Sequence, residues 1–466
     1  MEQYGQDSKQ VVDLILVGGT AITVDAERRV IRDAGLAVDG ERIVYVGKAS
    51  DVAQKYVGRK QLECTDKVMI PGMVNAHIHF SHHMSKSLIP DTLGPAVQTT
   101  FTHYKASPQL TADNEVWGSQ ALLIEMLKGG TTTFLESGSY HPREMLEGGI
   151  ERIGIKGFMG RRASDRESLG HSAKMEATDD ILNHMERLLK DFGGRKNIRP
   201  CVTIDGVQRY TDRLVVEAKK MADQYQVPFT LHESAWHDSV TECRKRNGRR
   251  PIEHLDKLGV LDDNVVLVHV LFVNQTEVDL MAKSGSKVVH CPSAGVKLGY
   301  PFVFGRFPEM LEAGIPVALG SDSSDCSNYH DMIRVLNLAA VLYKGLRNDP
   351  QIMGAEQAIE MATLNGAKAL GLDGEIGSLE AGKKADIAIF DTNRFDWRPM
   401  YNEVQALVHS ANADSCETVI VDGRIVVDRK TVVTVDEQQI LATLRSMERE
   451  MLSRTGISIS SPWKFV

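Results

Sequence analysis

Residues 69–80 read MIPGMVNAHIHF, an apolar run that passes a Pro-Gly step and ends on two histidines spaced i, i+2. An apolar stretch of this length, bounded by turn residues, is the pattern of a buried strand. Seven more such runs follow, with helical segments between them: GTTTFLES (130–137), IKGFMGRRA (155–163), IRPCVTIDG (198–206), PFTLHES (228–234), VVLVHV (265–270), KVVHCP (287–292) and PVALGSD (316–322). Eight parallel strands alternating with helices close a barrel, so the reading is an α/β chain with a (β/α)8 TIM-like barrel. The segment 113–128, DNEVWGSQALLIEMLK, carries 3.6-residue apolar spacing and stops at Gly129 and Gly130, as a helix of the outer ring would.

Working outward from the barrel, both flanks read as short strands split by Gly turns. On the N-terminal side these are VDLILVGG, AITVD, GLAVDG, RIVYVG and CTDKVMI; on the C-terminal side, IGSLEAGKKADIAIFD, VQALVHS and ETVIVDGRIVVD. Neither flank has enough strands for an independent sheet, so together they are expected to form one small β-sandwich. The expected organisation is 1–69 and 376–435 as its two parts, 70–375 as the barrel, and 436–466 as a C-terminal helix and tail. The amphipathic stretch 436–453 is read as packing against the barrel.

Composition narrows the class of partner. The chain has 466 residues, 42% hydrophobic and 25% charged, enough to bury a large core. A net charge of −8 offers phosphate backbones nothing to condense onto, so a small-molecule substrate is expected rather than nucleic acid. The six cysteines form no CxxC pair, which fits a reducing cytoplasm. The first residues, MEQYGQDSKQ, lack an apolar core of the signal-peptide kind, and no apolar run approaches the ~20 residues of a membrane span, so no membrane partner is expected.

The chemistry-bearing residues cluster at strand ends. In a strand, positions i and i+2 share a face, so His77 and His79 project together and two neutral imidazoles can grip one cation. Alone the pair is weak: with 15 histidines in the chain, an HxH arises by chance about once in two such chains. The case strengthens because His232 closes the fifth run, His269 lies in the sixth and Asp322 ends the eighth, all on the rim where barrel enzymes build their sites. Glu136 and Arg161 end the second and third runs and are candidates for lining a substrate pocket, with a rim salt bridge as the plain alternative. Phe80, His82, His83 and Met84, with Phe101, His103 and Tyr104 beyond them, suit a loop that covers substrate. Lys297 and His237 are weaker candidates, for an anionic substrate group and a shifted proton donor.

PGMVNAHIHF resembles the PG(F/M)(V/I)NxHxH signature of the amidohydrolase superfamily, and the chain is similar to its chlorohydrolase/deaminase branch. Further matching pieces are GGTTTF, HCPSAGVKLG, EMLEAGIPVALGSDSS, EMATLNGAKALGL and GSLEAGKKADIAIFD, spanning about 11–430. The resemblance implies a (β/α)8 barrel with a split β-sandwich, and a divalent metal on His77, His79, His232 and Asp322 with His269 beside it. Two-metal members bridge their ions with a strand-four Lys; IRPCVTIDG has none, so one ion per chain is expected, zinc first, with iron or cobalt as other fits. Asp322 is expected to carry protons and His269 to bond the oxyanion or complete the metal shell. The branch often forms homo-oligomers, and this chain is expected to do so.

One departure decides the expected chemistry. Deaminases of this branch carry HxxE at strand five, where the Glu protonates a ring nitrogen; here HESAWH places Ala235 there. Glu233 is a candidate substrate-binding group, although strand alternation turns it away from His232. A carbonyl needs no ring protonation, so the expectation is C–N hydrolysis at the carbonyl of a small N-substituted urea, carbamate or amide. Among members of the family the chain looks closest in kind to phenylurea hydrolases and molinate hydrolase. The alternatives are a deaminase or dechlorinase of a heteroaromatic ring, with Glu233 or His237 replacing the Glu, and a non-catalytic scaffold, against which the intact ligand set argues.

Overall fold

In the computed structural model, which describes residues 9–88, 110–166, 175–456 and 463–464, the Pro71–Gly72 step cuts the first run in two. Lys67–Pro71 pairs with Ile387–Asp391 in a sheet of the flanks, and Met73–His79 opens the barrel. Only glycine passes at this pivot, because a Cβ on Gly72 would lie 2.2 Å from Thr132 Oγ1. The single strand read across 69–79 is therefore two, one in each layer of the molecule.

The barrel is built from two five-stranded arcs of parallel strands. One runs Ile198–Pro200, Lys156–Met159, Thr131–Glu136, Met73–His79, Asp322–Ser323; the other runs Val202–Ile204, Phe229–Glu233, Val265–His269, Lys287–His290, Val317–Leu319. The fourth and eighth runs each give a strand to both arcs and so close the ring. Val74, Leu135, Phe158, Cys201, Val266, Val268, Val289 and Ala318 come from strands all round the barrel yet share one buried cluster, which places them in its interior. Their alternating neighbours Phe134, Leu231 and Leu267 pack outward under the helices. Each such fully buried side chain contributes about 1.5–3 kcal/mol. Helix Ala112–Lys128 is capped by Thr111, whose side chain accepts from Asn114 N, and ends at Gly129.

The two chain ends supply a seven-stranded sheet, ordered Thr431–Val432, Arg424–Asp428, Cys416–Val421, Ile387–Asp391, Lys67–Pro71, Thr20–Ile22, Val30–Arg32. It faces a four-stranded sheet of Arg42–Lys48, Ala34–Asp39, Gln10–Val17 and Tyr56–Glu63 across a core of Leu14, Leu16, Leu36, Ile43, Met69, Ile387 and Ile420. One expected strand is absent: VQALVHS is helix Glu403–His409. Asn402 caps it by accepting from Val404 N and Gln405 N, and its buried Val404, Leu407 and Val408 fall at helical spacing.

Helix Glu437–Thr455 lies against helix Ala112–Lys128, with Lys128 Nζ 2.9 Å from Glu437 Oε2 and Arg454 Nη2 2.7 Å from Asn114 Oδ1. None of the six cysteines is disulfide-bonded. No helix among the described residues is long and apolar enough to cross a membrane.

Candidate metal centre

His77, His79, His232, His269 and Asp322 converge at the C-terminal rim of the barrel. His79 Nε2 is 3.1 Å from His232 Nε2, and Asp322 Oδ1 is 3.6 Å from the Nε2 atoms of both His77 and His79. His269 Nε2 stands 3.9 Å from Asp322 Oδ2. Donors on a tetrahedral ion with ~2.05 Å bonds lie about 3.3 Å apart, so the nitrogen pair already has the spacing of shared ligands. Both ring nitrogens of His77 are buried without a hydrogen-bond partner. Such an orphan costs roughly 1–3 kcal/mol unless something accepts its lone pair, and a cation at Nε2 does so. Burial lowers the imidazolium pKa of His77 and His79, and takes His269 down to about 3, so these rings are neutral at physiological pH and their free nitrogens can bind a cation. Against the burial that would raise it, the His77 ring 3.6 Å away and the neighbouring imidazoles hold the Asp322 carboxyl well below the usual range. The residues fit a divalent metal ion.

The backbone pays for this convergence with left-handed residues. In register, His269 pairs with Glu233, and both follow outward-packed leucines, so strict alternation would point His269 at the helices. Its φ of 74°, and the 63° of Asp322, depart from strand geometry at the two positions where side chains meet.

A second layer orients the ligands. His232 Nδ1 lies 2.9 Å from Asp205 Oδ1, while Asp205 Oδ2 is 3.0 Å from Arg162 Nη2 and also bonds Arg209. Arg162 Nη1 reaches to 3.5 Å from His79 Nδ1. Despite burial, these two guanidiniums hold the Asp205 carboxyl well below its usual value. Neither Asp205 nor Arg162 was singled out from sequence. Asp205 ends the fourth run, a position that could have flagged it; Arg162 is the neighbour of the arginine that was named. His82, too, comes close: its ring is 5.3 Å from that of His79, and its Nδ1 is 3.1 Å from Asp325 Oδ2.

The three substrate-binding candidates are held by other partners. Arg161 is held by both oxygens of Glu176, at 2.7 and 2.9 Å, the rim salt bridge of the plain alternative. Glu136 accepts from Gly138 N, Gly160 N and Ser139 Oγ, which fastens the loops after the second and third strands. Glu233 accepts from Ser234 N and Val207 N, with Glu277 and Arg246 as its charged neighbours, outside the metal cluster. Phe80 is core, packed 5.0 Å from Phe134. Met84 packs near Met451, His83 Nδ1 is 3.0 Å from Ser324 Oγ, and Lys297 donates to Asp325 O. His237 is exposed beside Phe272. Phe101, His103 and Tyr104 lie outside the described residues.

Burial pushes the Glu136 carboxyl up to about 8 from its ordinary 4.5. The folded chain therefore holds a proton there that the unfolded chain has lost, and this group's contribution to stability falls as pH rises from about 4.5 to about 8. Glu136→Gln keeps an acceptor for both glycine N–H groups and cannot ionise. Its stability relative to the parent should rise between pH 5 and pH 8 by on the order of a few kcal/mol. Urea midpoints at the two pH values test this, and an equal difference at both would refute it.

The chain belongs to the amidohydrolase family, whose model matches residues 68–426. Similar curated proteins are 5-methylthioadenosine/S-adenosylhomocysteine deaminases. That of Moorella thermoacetica is 31% identical over 419 residues, covering 89% of this chain and 94% of the relative. That of Symbiobacterium thermophilum is 31% identical over 440 residues, covering 93% and 97%. Among solved structures, a zinc-bound adenosine deaminase from Xanthomonas campestris aligns with a TM-score of 0.88 at 24% identity, covering 96% of this chain and all of that one. The zinc complex of an atrazine chlorohydrolase from Arthrobacter aurescens aligns at 0.85 and 23% identity, covering 93% and 100%. At that identity the structures attest the fold, a barrel with a β-sandwich. The chain is an amidohydrolase-superfamily hydrolase.

Proposed function

We propose that this chain hydrolyses the C–N bond at the carbonyl of a small N-substituted urea, carbamate or amide, using one divalent ion, zinc first, held by His77, His79, His232 and Asp322. The observation that carries the reading is the fifth strand's end. Ala235 occupies the place of the ring-protonating glutamate, and the carboxylate nearest in sequence, Glu233, is bonded to Val207 N and Ser234 N on the far side of the strand. A cation in this site supplies Lewis acidity toward a carbonyl oxygen and lowers the pKa of water toward neutrality. Asp322, ionised and 3.6 Å from two ligand nitrogens, accepts a proton at its carboxylate and returns it to the leaving amine. His269 presents Nε2 on the same side as Asp322 Oδ2 and can donate to an oxyanion when that nitrogen carries the hydrogen. The likeness in kind to phenylurea hydrolases belongs to this proposal.

The second reading, a deaminase or dechlorinase of a heteroaromatic ring, is favoured by the relatives, named as deaminases and a chlorohydrolase. It requires Glu233 or His237 to do the work of the absent Glu. A panel of neutral N-aryl ureas, carbamates and anilides set against aminopurines, adenosine derivatives and chlorotriazines separates the two, by amine release from the first group or ammonia and chloride release from the second. Under the carbonyl reading Glu233→Gln leaves the rate within about tenfold, about 1.4 kcal/mol of barrier. A loss of 10²- to 10⁴-fold, the worth of a positioned proton donor, together with turnover of the ring substrates, would establish the second reading.

A further inference from the structure

We propose that Trp236 and Tyr300 form an aromatic wall beside His269 that seats a flat aryl group on the substrate nitrogen. The wall makes N-aryl substrates the preferred class of the reaction proposed above, on which this inference rests. The two rings come from different loops. Trp236 follows Ala235 directly and is the N-cap of helix His237–Asn247, its backbone fixed in extended geometry and its carbonyl accepting from Ser239 Oγ at 2.7 Å. Tyr300 lies in the loop after the seventh strand, where its N–H donates to Gly295 O at 2.8 Å.

The rings meet edge to face, with centroids 4.3 Å apart at 73°, and the Tyr300 ring stands 6.1 Å from that of His269 at 81°. Imidazole, phenol and indole thus follow one another outward from the metal cluster. A carbonyl carbon at the cluster carries its N-substituent over this series. Both aromatic residues are partly exposed, so they offer surface to a ligand. Packing around the phenol pushes its pKa well up, with Cys326, Asp322 and Asp325 among its electrostatic neighbours, so Tyr300 presents a neutral ring. A second aromatic series, His237, Phe272 and Phe304, begins one residue past Trp236, with centroid spacings of 5.9 and 5.5 Å, and Phe304 is 57% exposed. Where an HxxE enzyme carries a carboxylate, this chain has the methyl of Ala235 and, one residue on, an indole. That exchange suits a neutral apolar ring and gives nothing to a basic ring nitrogen.

The test compares Trp236→Ala and Trp236→Phe with the parent on a matched N-phenyl and N-butyl urea. The phenyl-to-butyl ratio of kcat/KM is expected to fall about threefold to tenfold in the alanine variant, through KM, and to recover in the phenylalanine variant. An unchanged ratio, or a fall carried by kcat and not rescued by phenylalanine, would overturn the proposal and leave the rings as loop packing. If the parent cleaves neither urea, the proposed reaction is wrong, and equilibrium binding of phenylurea and butylurea to the metal-loaded protein decides the wall separately. Tighter phenylurea binding that Trp236→Ala abolishes supports it; equal binding of the two probes, or none, overturns it.

Discussion

Turnover by Asp322→Ala is expected to fall by about 10⁴-fold or more. Two losses combine in it. The carboxylate is one of the donors around the Nε2 atoms of His77 and His79, each 3.6 Å from Oδ1, so its removal opens the ligand set. It is also the group that takes and returns the proton, a role worth 10²- to 10⁴-fold by itself. Asp322→Asn separates the two, since the amide oxygen can still ligate but cannot carry a proton. Metal content by mass spectrometry should be about one divalent ion per chain in the parent and near zero in His77→Ala, whose two ring nitrogens have no other partner. Turnover of Asp322→Ala within tenfold of the parent would sink the mechanism, and a parent stoichiometry near two would make His269 a ligand of a second ion.

The histidine pair at 77 and 79 was readable because it needs only the period of two that every strand has. Asp322 and His269 were placed at the right strand ends, yet their meeting depends on positive φ at both, which no periodicity encodes. Alternation also told which way Glu233 faces. Strand-end position left Arg161 open between pocket lining and a rim salt bridge, because the strand Lys156–Met159 ends before the arginines and loop geometry decides that Arg162 turns inward while Arg161 meets Glu176. Glu136 was located at its strand end, but its carboxylate is taken up by N–H groups of its own loops, donors that carry no side-chain signal. VQALVHS read as a strand on its two valines; the helix formers Ala406 and Leu407 and the cap at Asn402 outweigh them. Asp205 was passed over for a different reason. Its strand-end position could have flagged it, but its partners Arg162 and His232 come from other parts of the chain, and only the closed barrel brings the three together.

Asp205→Asn should weaken metal binding 10- to 100-fold, the usual cost of losing the partner that fixes a ligating histidine, while also destabilising the fold. In the parent, the carboxylate 2.9 Å from His232 Nδ1 favours the tautomer with its hydrogen on that nitrogen, which leaves the Nε2 lone pair facing His79 and the cluster. The same carboxylate stands between Arg162 and Arg209, whose side chains are 6% and 15% exposed. An amide keeps one acceptor but removes the charge, leaving two guanidiniums facing each other with little water to screen them. Breaking a buried pair in this way costs about 3–5 kcal/mol; water reaching the partly exposed Arg209 brings the expected loss to the low end of that range. A role confined to bridging the arginines would lower the melting temperature and spare the metal affinity of the protein that remains folded. Competition with a chelator of known affinity, measured well below the transition, reads the second quantity independently of the first. A variant that melts early yet binds its ion as tightly as the parent would show that Asp205 holds the arginines and not the histidine.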